Sequence, residues 1–334
     1  MSKRCVMTFC ILTVLLFVAA FVSALAGTVS VTPKELAEIL SNGGADTVKS
    51  GVVLSIRLPR IAAAVILGGA LALSGYMLQT FFDNPIVGPF VLGISSGAKL
   101  AVALALIFFM ARGNRPGSLF LVGAAFVGAM LVMMFVLALS LHVRSGGILV
   151  VCGIMMGYIC SAVTDLVVTF ADDANIVNLH NWSMGSLSGT SRDDIVIMSV
   201  IVGICFIGAV LLVKPIGAYR LGEDYAASGG VNIRLLRVML ILISSLLAAC
   251  VSAFAGPISF VGIAVPHLLK GMTKTSSPAV MIPGCFMLGS LVVLICDVIA
   301  RTVFSPTEVS ISSVTAVLLV PVVIAVMMKR RSRA

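Results

Sequence analysis

Long uncharged apolar runs dominate the chain, and they constrain its fold more than any other feature. A helix needs about 17 to 25 apolar residues to cross the hydrocarbon core of a bilayer. Nine runs are clear candidates: residues 5–26, 61–82, 91–110, 119–141, 148–171, 195–213, 238–255, 280–300 and 309–328. A tenth run, 258–269, is too short to span alone and is expected to share a crossing with a tilted neighbour. The sequence therefore predicts an all-α polytopic membrane protein with about ten transmembrane helices.

Composition supports one membrane domain over residues 1–334 rather than several soluble domains. Apolar residues make up 60% of the chain and charged residues only 10%, whereas soluble domains carry about a quarter charged residues. The net charge is +9, but the basic residues do not alternate with aromatic residues in a groove-like patch. Lys and Arg also collect at membrane boundaries. Nucleic-acid binding is therefore not expected.

The distribution of Lys and Arg predicts the orientation of the chain. With the N-terminus inside and ten crossings, thirteen basic residues fall inside and eight outside. The basic C-terminal stretch "KRRSRA" favours an inside tail, and hence an even number of crossings. Both termini are therefore expected in the cytoplasm. Cleavage of the first run as a signal peptide, after an Ala-Leu-Ala stretch, is the alternative, but this run is longer than a usual signal core.

Catalytic and metal-binding patterns are not found in the sequence. The eight cysteines lie in or beside apolar runs without metal-type spacing, and the three histidines are far apart. The stretch "GISSGAKL" (93–100) resembles a phosphate-binding loop only superficially, because its glycines are too close and no Ser or Thr follows Lys99. We expect no catalytic residue, no resident metal or cofactor, and no ATP hydrolysis by this chain.

Few ionisable residues fall within the predicted spans. Asp165 and Asp297 lie near the predicted outer ends, where a structural or helix-end role is expected. Asp297 and Arg301 stand four residues apart on one helix face, so a local ion pair is plausible. A secondary transporter is an alternative function for a membrane protein of this kind. It would need charged groups at the centre of its spans, and Lys99, Asp165 and Asp297 are not central.

Three of the arginines predicted at the outer surface, against the usual bias for the inside, lie at the mouths of spans. Arg57 and Arg60 flank the start of the second span in "RLPR", and Arg301 lies at the end of the ninth. Contact with lipid phosphates is one interpretation. The other is a cationic rim that receives an acidic partner, because guanidinium groups form directional paired bonds with carboxylates. The polar segment 214–237 faces the cytoplasm in the same topology.

Two local patterns predict helix geometry. In "TPKELAEIL", Thr32 as N-cap and Glu35 three residues later form a capping-box pattern for a short helix at the outer surface. In the second span, Ala64, Gly68 and Ala72 recur every four residues on one face. Small residues at this spacing allow another helix to approach closely.

Several stretches together carry a family resemblance that covers nearly the whole chain. They are residues 57–98, "WSMGSLSG" (182–189), "LGEDYAASGGVNIRLLR" (221–237), "GPISFVGIAVPHLLK" (256–270) and residues 297–324. In this order they resemble the FecCD-type permease subunit of binding-protein-dependent ABC importers for ferric siderophores, haem and vitamin B12.

The resemblance implies the type II ABC importer permease fold and a set of partners. These are a second permease subunit, expected to be a copy of this chain rather than a different one, two cytoplasmic ATPases that bind ATP and Mg, and an extracytoplasmic binding protein. The surrounding lipid is that of a prokaryotic cytoplasmic membrane. The expected cargo is a ferric siderophore, with haem or cobalamin as the alternatives.

The resemblance also assigns roles to residues. Arg57, Arg60 and Arg301 match positions that receive glutamates of the binding protein. The cytoplasmic gate corresponds to Asn84 and Ile86 in one loop and to Ser145 and Gly146 in another. ATPase coupling falls, within 214–237, on Leu221, Gly222, Glu223, Asp224, Tyr225, Ala226, Ala227, Ser228, Gly229, Gly230, Val231 and Asn232. Two positions depart from the family pattern: Lys270 stands where Arg is usual and Gly230 where Leu is usual.

Overall fold

The structure is a computed structural model, and it describes residues 3–42, 48–110, 117–143, 145–171, 173–305 and 307–331. Arg112, Arg115 and Arg144, and the side chains of the basic tail from Lys329 onward, were used to orient the chain and lie outside this described part.

Helices account for almost all of the secondary structure in these ranges. They are α1 (Lys3–Leu25), α2 (Pro33–Asn42), α3 (Val48–Gly51), a π-helical segment (Val52–Arg57), α4 (Leu58–Phe82), α5 (Ile94–Met110), α6 (Ser118–Ser140), α7 (Gly146–Thr169), α8 (Asp173–Ser183), α9 (Arg192–Leu211), α10 (Val213–Tyr219), α11 (Glu223–Ser228), α12 (Ile233–Ala255), α13 (Val261–Thr273), α14 (Pro278–Thr302) and α15 (Ile311–Arg331). The predicted all-α class is confirmed.

Each of the ten predicted apolar runs coincides with one of these helices. Within the described residues, seven helices are long and apolar enough to cross a membrane, and the second of them is a continuous helix over Val48–Phe82. Two further apolar helices, in α5 and α15, are shorter, and α13 has 13 residues. About ten apolar helices, as predicted, therefore make up the body of the protein.

The short tenth run becomes a helix preceded by a buried, non-helical segment. At 1.5 Å per residue, α13 is about 20 Å long, less than the roughly 30 Å of the hydrocarbon core. Residues 256–260 precede it without helical hydrogen bonding, and most of them are buried. Irregular backbone at membrane depth is tolerated where protein covers it, so the segment lies among helices rather than against lipid.

Helix α4 lies at the centre of the fold and packs against α9, α12, α13 and α14. Ala64, Gly68 and Ala72 are fully buried on it, and a Cβ at Gly68 would lie 2.6 Å from the carbonyl oxygen of Gly289 in α14. The predicted close approach through this small-residue face is confirmed. Because there is no room for even a methyl group, α4 and α14 form a rigid pair.

The remaining long helices pack around this centre. Helices α5, α6 and α7 pack against one another, α12 joins them to α4, and α1 and α15 pack against α14. The polar connection of α10 and α11 leads from α9 into α12. This arrangement places the start of α4 beside the ends of α1 and α14 at one end of the molecule, and it places the polar connection at the other end.

Candidate functional site

A cluster of charged side chains lies at the end of the molecule where α4 begins and α14 ends. We call Arg57, Arg60, Asp297, Arg301 and Glu308 the outer ion cluster. Its members come from the π-helical segment, α4, α14 and the loop that follows α14. Residues up to 248 positions apart in the chain meet here.

Asp297 is the fully buried centre of this cluster. Its Oδ1 accepts a hydrogen bond from Arg60 Nε at 2.7 Å, and its Oδ2 lies 3.4 Å from Arg301 Nε. The ion pair predicted between Asp297 and Arg301 is thus confirmed. Arg60 also binds the carboxylate of Glu308, whose side chain is 37% exposed. Arg60 is therefore held by one buried and one surface carboxylate.

Arg57 and Arg301 bind the C-terminal end of α1. Arg57 Nη1 donates to the carbonyl oxygens of Ala24 at 2.7 Å and Leu25 at 3.0 Å, and Arg301 Nη1 donates to that of Ala26 at 2.8 Å. The last carbonyl groups of a helix lack partners within the helix, and cations are favoured at this end by the helix dipole. These two arginines therefore cap α1.

Gly27 makes the contact between Arg57 and the end of α1 possible. Its φ angle is +148°, and a Cβ there would lie 2.8 Å from Nη2 of Arg57. A side chain at this position would be strained and would displace the guanidinium group.

The outer ion cluster differs from the open cationic rim expected from the sequence. Arg57 is 3% exposed and Arg60 is 7% exposed, and Arg301 is only partly exposed. All three guanidinium groups bind groups of their own chain. The structure brings the three predicted docking residues together, and their role in docking stays a prediction.

The two predicted gate loops also come together, at the other end of α4. Asn84 Oδ1 accepts a hydrogen bond from the amide of Ile86, whose side chain is exposed. Ser145 is the N-cap of α7, and a Cβ at Gly146 would lie 3.1 Å from the carbonyl oxygen of Phe82. The loop of Ser145 and Gly146 therefore packs against the last turn of α4. The loop of Asn84 and Ile86 begins directly after that turn.

A histidine ties the first gate loop to α13. Nε2 of His267 lies 2.8 Å from the carbonyl oxygen of Pro85, which is the residue between Asn84 and Ile86. Gln79 on α4 donates to the carbonyl oxygens of Gly262 and Ile263 at 3.3 Å. Side-chain hydrogen bonds thus hold α13 to the gate loop through His267 and to α4 through Gln79.

The coupling segment carries an exposed face on α11 and the turn before it. Leu221 and Tyr225 are large apolar side chains four residues apart, and both are mostly exposed. Asp224 is exposed beside them, and its carboxylate makes no hydrogen bond or ion pair within the described residues. Ala226 is fully buried. The face combines apolar and acidic groups, as a protein-binding surface does.

Glu223 serves the coupling segment internally. Its carboxylate pairs with Arg237 of α12 and accepts a hydrogen bond from the hydroxyl of Tyr219 at 2.9 Å. Burial raises the pKa of Tyr219. Of the two predicted coupling acids, Glu223 braces α10 and α11 against α12, and Asp224 faces outward.

A cavity of about 420 Å³ separates the coupling segment from the first gate loop. Its walls include Asn84 and Pro85 of the loop, Tyr219 and Glu223 of the coupling segment, and His267 of α13. Helix α10 packs against α14, which packs against α13, so a movement of α10 and α11 would reach the gate through these helices rather than by direct packing.

The short helix α2 forms as predicted at its N-terminus. The amide of Thr32 donates to Glu35 Oε2 at 2.8 Å, and the amide of Glu35 donates to Thr32 Oγ1 at 3.3 Å. Lys49 Nζ binds Glu35 Oε1 at 2.6 Å. The hydrogen bonds from Lys49 and Thr32 lower the pKa of Glu35 to about 2.

Sequence reasoning did not single out Glu308 or His267 as site residues. Both lie in stretches that carry the family resemblance, but their partners are distant in sequence: Arg60 is 248 residues from Glu308, and Pro85 is 182 residues from His267. Helical periodicity reports only on neighbours within a few turns, so no local pattern could have found these contacts.

The fold and these sites define a class of protein: an all-helical, multi-pass membrane protein with a polar connection at one end. A model of the FecCD transport family matches residues 15–329. The chain belongs to the FecCD transport family, and it is therefore a permease subunit of an ABC importer in the inner membrane. This family implies a dimeric permease with ATPase and substrate-binding partners, and ATP hydrolysis lies in the partner subunits.

Individual relatives and solved structures agree with this family. The chain is 33% identical over 323 residues to the vitamin B12 import system permease protein BtuC of Klebsiella pneumoniae, with 96% of this chain and 93% of the relative covered. It is 32% identical to BtuC of Salmonella typhi, with 83% of each chain covered.

One solved structure has a TM-score of 0.84 at 28% identity, covering 97% of this chain and 99% of the other. It is described as an inward-facing conformation of an ABC transporter provisionally assigned to the metal-chelate type. A second, PsaBC from Streptococcus pneumoniae in complex with Fab, has a TM-score of 0.51 at 14% identity, covering 87% of this chain and 95% of that one, and is similar in fold alone.

Proposed function

We propose that this permease carries a metal chelate inward, with a ferric siderophore as the first candidate cargo. The observation that carries the proposal is the family match over residues 15–329. The choice of a metal chelate as cargo is supported by one similar structure, which is described as a transporter of metal-chelate type. Cobalamin is the second candidate, because the BtuC relatives at 31 to 33% identity are named for vitamin B12 import.

In this proposal the two ends of the molecule have different partners. The binding protein docks at the outer ion cluster through its own carboxylates. The ATPases, which bind ATP and Mg, dock on the exposed face of Leu221, Asp224 and Tyr225. Both termini then lie in the cytoplasm. The second permease subunit is a copy of this chain, and its own Ile86 faces this chain's exposed Ile86 across the pathway.

In this proposal the transport step passes from the coupling segment to the gate through the helices that lie between them. Closure of the ATPases moves α10 and α11, which are braced to α12 by Glu223 and Arg237. Helix α10 packs against α14, and α14 packs against α13, so this movement is passed on to α13. Because His267 binds the carbonyl oxygen of Pro85, α13 carries the gate loop with it. The cargo passes when the gate loops of the two copies separate.

Competitive uptake by the reconstituted importer tests the cargo. The permease, its ATPases and its binding protein are placed in proteoliposomes, and uptake of radioactive iron as a hydroxamate ferric siderophore is compared with uptake of radioactive cobalamin. ATP-dependent iron uptake that excess cobalamin leaves unchanged supports the first candidate. ATP-dependent cobalamin uptake without iron uptake replaces it by the second, and uptake of neither contradicts the metal-chelate proposal.

A further inference from the structure

The three arginines of the outer ion cluster are not equally available to a partner. Arg57 and Arg301 donate to backbone carbonyl groups at the end of α1. A docking partner that drew these guanidinium groups outward would uncap that helix and leave its carbonyl groups unsatisfied. Arg60 instead binds two side-chain carboxylates, those of Asp297 and Glu308. Its bonds can be exchanged without changing the backbone.

We propose that Glu308 occupies the position on Arg60 that a carboxylate of the extracytoplasmic binding protein takes on docking. Glu308 then competes with that carboxylate within the chain and so sets the affinity of docking. The proposal rests on the proposed function, in which that protein docks at the outer ion cluster. It assigns a role to a residue that neither motif nor resemblance distinguishes.

The two carboxylates on Arg60 differ in burial, and this difference decides which of them can leave. Asp297 has no exposed surface and meets both Arg60 and Arg301, so its departure would leave two buried cations facing each other. Glu308 has 37% of its side chain exposed, and among the described residues its carboxylate pairs with Arg60 alone. A rotation about its side-chain bonds would transfer its carboxylate to water, where a charge is well solvated.

The backbone around Glu308 is held in place, so the exchange needs only side-chain motion. The amide of Val309 donates to the carbonyl oxygen of Ala300 at 3.0 Å, and the amide of Thr307 donates to that of Phe304 at 2.9 Å. The first bond ties Val309 to α14, and the second closes a turn directly after α14. A preorganised loop of this kind adds little ordering cost when a partner binds.

Charge favours a carboxylate as the incoming group. The outer ion cluster holds three positive groups and two negative groups, which leaves one positive charge in excess even when Glu308 is bound. When Glu308 turns away, the excess becomes two at a site with little exposed surface. Attraction between charges strengthens as water is excluded, so an acidic partner group replaces Glu308 more readily than a neutral one.

Apolar side chains flank the exchange site. Val303 and Phe304 are mostly exposed directly after α14, next to the loop that carries Glu308. Aromatic residues and Arg are enriched among the central contacts of protein interfaces. The surface therefore fits a protein partner that brings a carboxylate and an apolar patch, as the binding protein would.

Replacing Glu308 by Gln tests the competition, because it removes the charge but keeps the shape. The full importer in nanodiscs is titrated with the binding protein that copurifies with it. We expect docking to become tighter by about fivefold or more, since the fraction of Arg60 free to bind a partner rises. The matched control is Glu38→Gln, which removes an exposed acid of α2 that has no arginine partner in the described part of the chain. For this control we expect a change of less than about twofold.

A second experiment, in an importer that carries Arg60→Gln, distinguishes competition by Glu308 from the docking role of the outer ion cluster. In an Arg60→Gln importer, Glu308→Gln is expected to have no effect on affinity, because the competed group is gone. Unchanged or weaker docking of Glu308→Gln relative to Glu38→Gln would overturn the competition, even if Arg60→Gln weakens docking. If Arg60→Gln leaves docking unchanged, the outer ion cluster is not the docking site and the proposed function fails at that point.

Discussion

Replacing the buried Asp297 by Asn should destabilise the protein strongly while preserving its shape. Asp297 is fully buried between Arg60 and Arg301, at 2.7 Å and 3.4 Å. Removing one partner of a buried ion pair costs about 3 to 5 kcal/mol, because the other charge is left buried without compensation. Glu308 still binds Arg60, and Arg301 keeps its carbonyl bonds. We therefore expect the lower end, about 3 kcal/mol.

A thiol-reactive dye measures this loss on the detergent-solubilised permease, because six cysteines are buried and become reactive only on unfolding. At roughly 2 °C per kcal/mol, the midpoint of thermal unfolding should fall by about 6 °C. The matched control is Asp165→Asn, in which the same change is made at an exposed intramembrane acid. A surface change of this kind should shift the unfolding free energy by less than about 0.5 kcal/mol.

The reasoning about Asp297 would be wrong if Asp297→Asn and Asp165→Asn unfolded at the same temperature. In that case the negative charge of Asp297 adds no stability beyond its hydrogen bond. Groups outside the outer ion cluster would then compensate the charges of the two arginines. A fall for Asp165→Asn alone would point to an unrecognised partner of that residue.

Three further predictions concern the gate, the coupling face and α2. His267→Ala removes the bond to Pro85, so we expect cargo uptake to fall by about tenfold with ATP hydrolysis nearly unchanged, and His267→Gln to restore uptake because its amide can donate to the same carbonyl. Asp224→Lys reverses the charge on the exposed face of α11, so the permease should lose its ATPases in copurification, whereas Ser228→Lys one turn on should keep more of them. The lowered pKa of Glu35 means that its carboxylate stabilises α2 above pH 4.5 and that this stabilisation is lost as pH falls towards about 2. Unfolding midpoints of the parent and Glu35→Gln should therefore differ at pH 7 and converge in acid.

Each of these has an outcome that counts against it. Equal uptake by His267→Ala and the parent would disconnect α13 from the gate. Full ATPase retention by Asp224→Lys would move the coupling surface away from α11. A constant difference between parent and Glu35→Gln from pH 7 to pH 3 would show that the charge of Glu35 is not what stabilises α2.

Features that depend on neighbouring residues were predictable from the sequence. The ten apolar runs each became a helix, the small-residue face around Gly68 packs against α14, and the capping box of Thr32 and Glu35 formed. Periodicity, caps and pairs four residues apart are set within a few turns of chain, so their signals are local.

The environment of the arginines was not predictable in the same way. The sequence indicated three exposed cations, but Arg57 meets carbonyl groups 32 and 33 residues away and Arg60 meets Asp297 at a separation of 237. Which helix end lies beside an arginine depends on the packing of the whole bundle. The family resemblance predicts a docking role for these arginines but could not reveal that the chain's own Asp297 and Glu308 bind Arg60.

ATP-driven uptake by the purified importer tests the account most directly, because its central claim is that this chain is a conduit moved by separate ATPase subunits. Uptake of the metal chelate into proteoliposomes is measured with intact ATPases, with ATPases that bind but do not hydrolyse ATP, and with a collapsed ion gradient. The account predicts that uptake stops with the inactive ATPases and continues without the gradient. Uptake that persists with inactive ATPases and stops when the gradient collapses would contradict it.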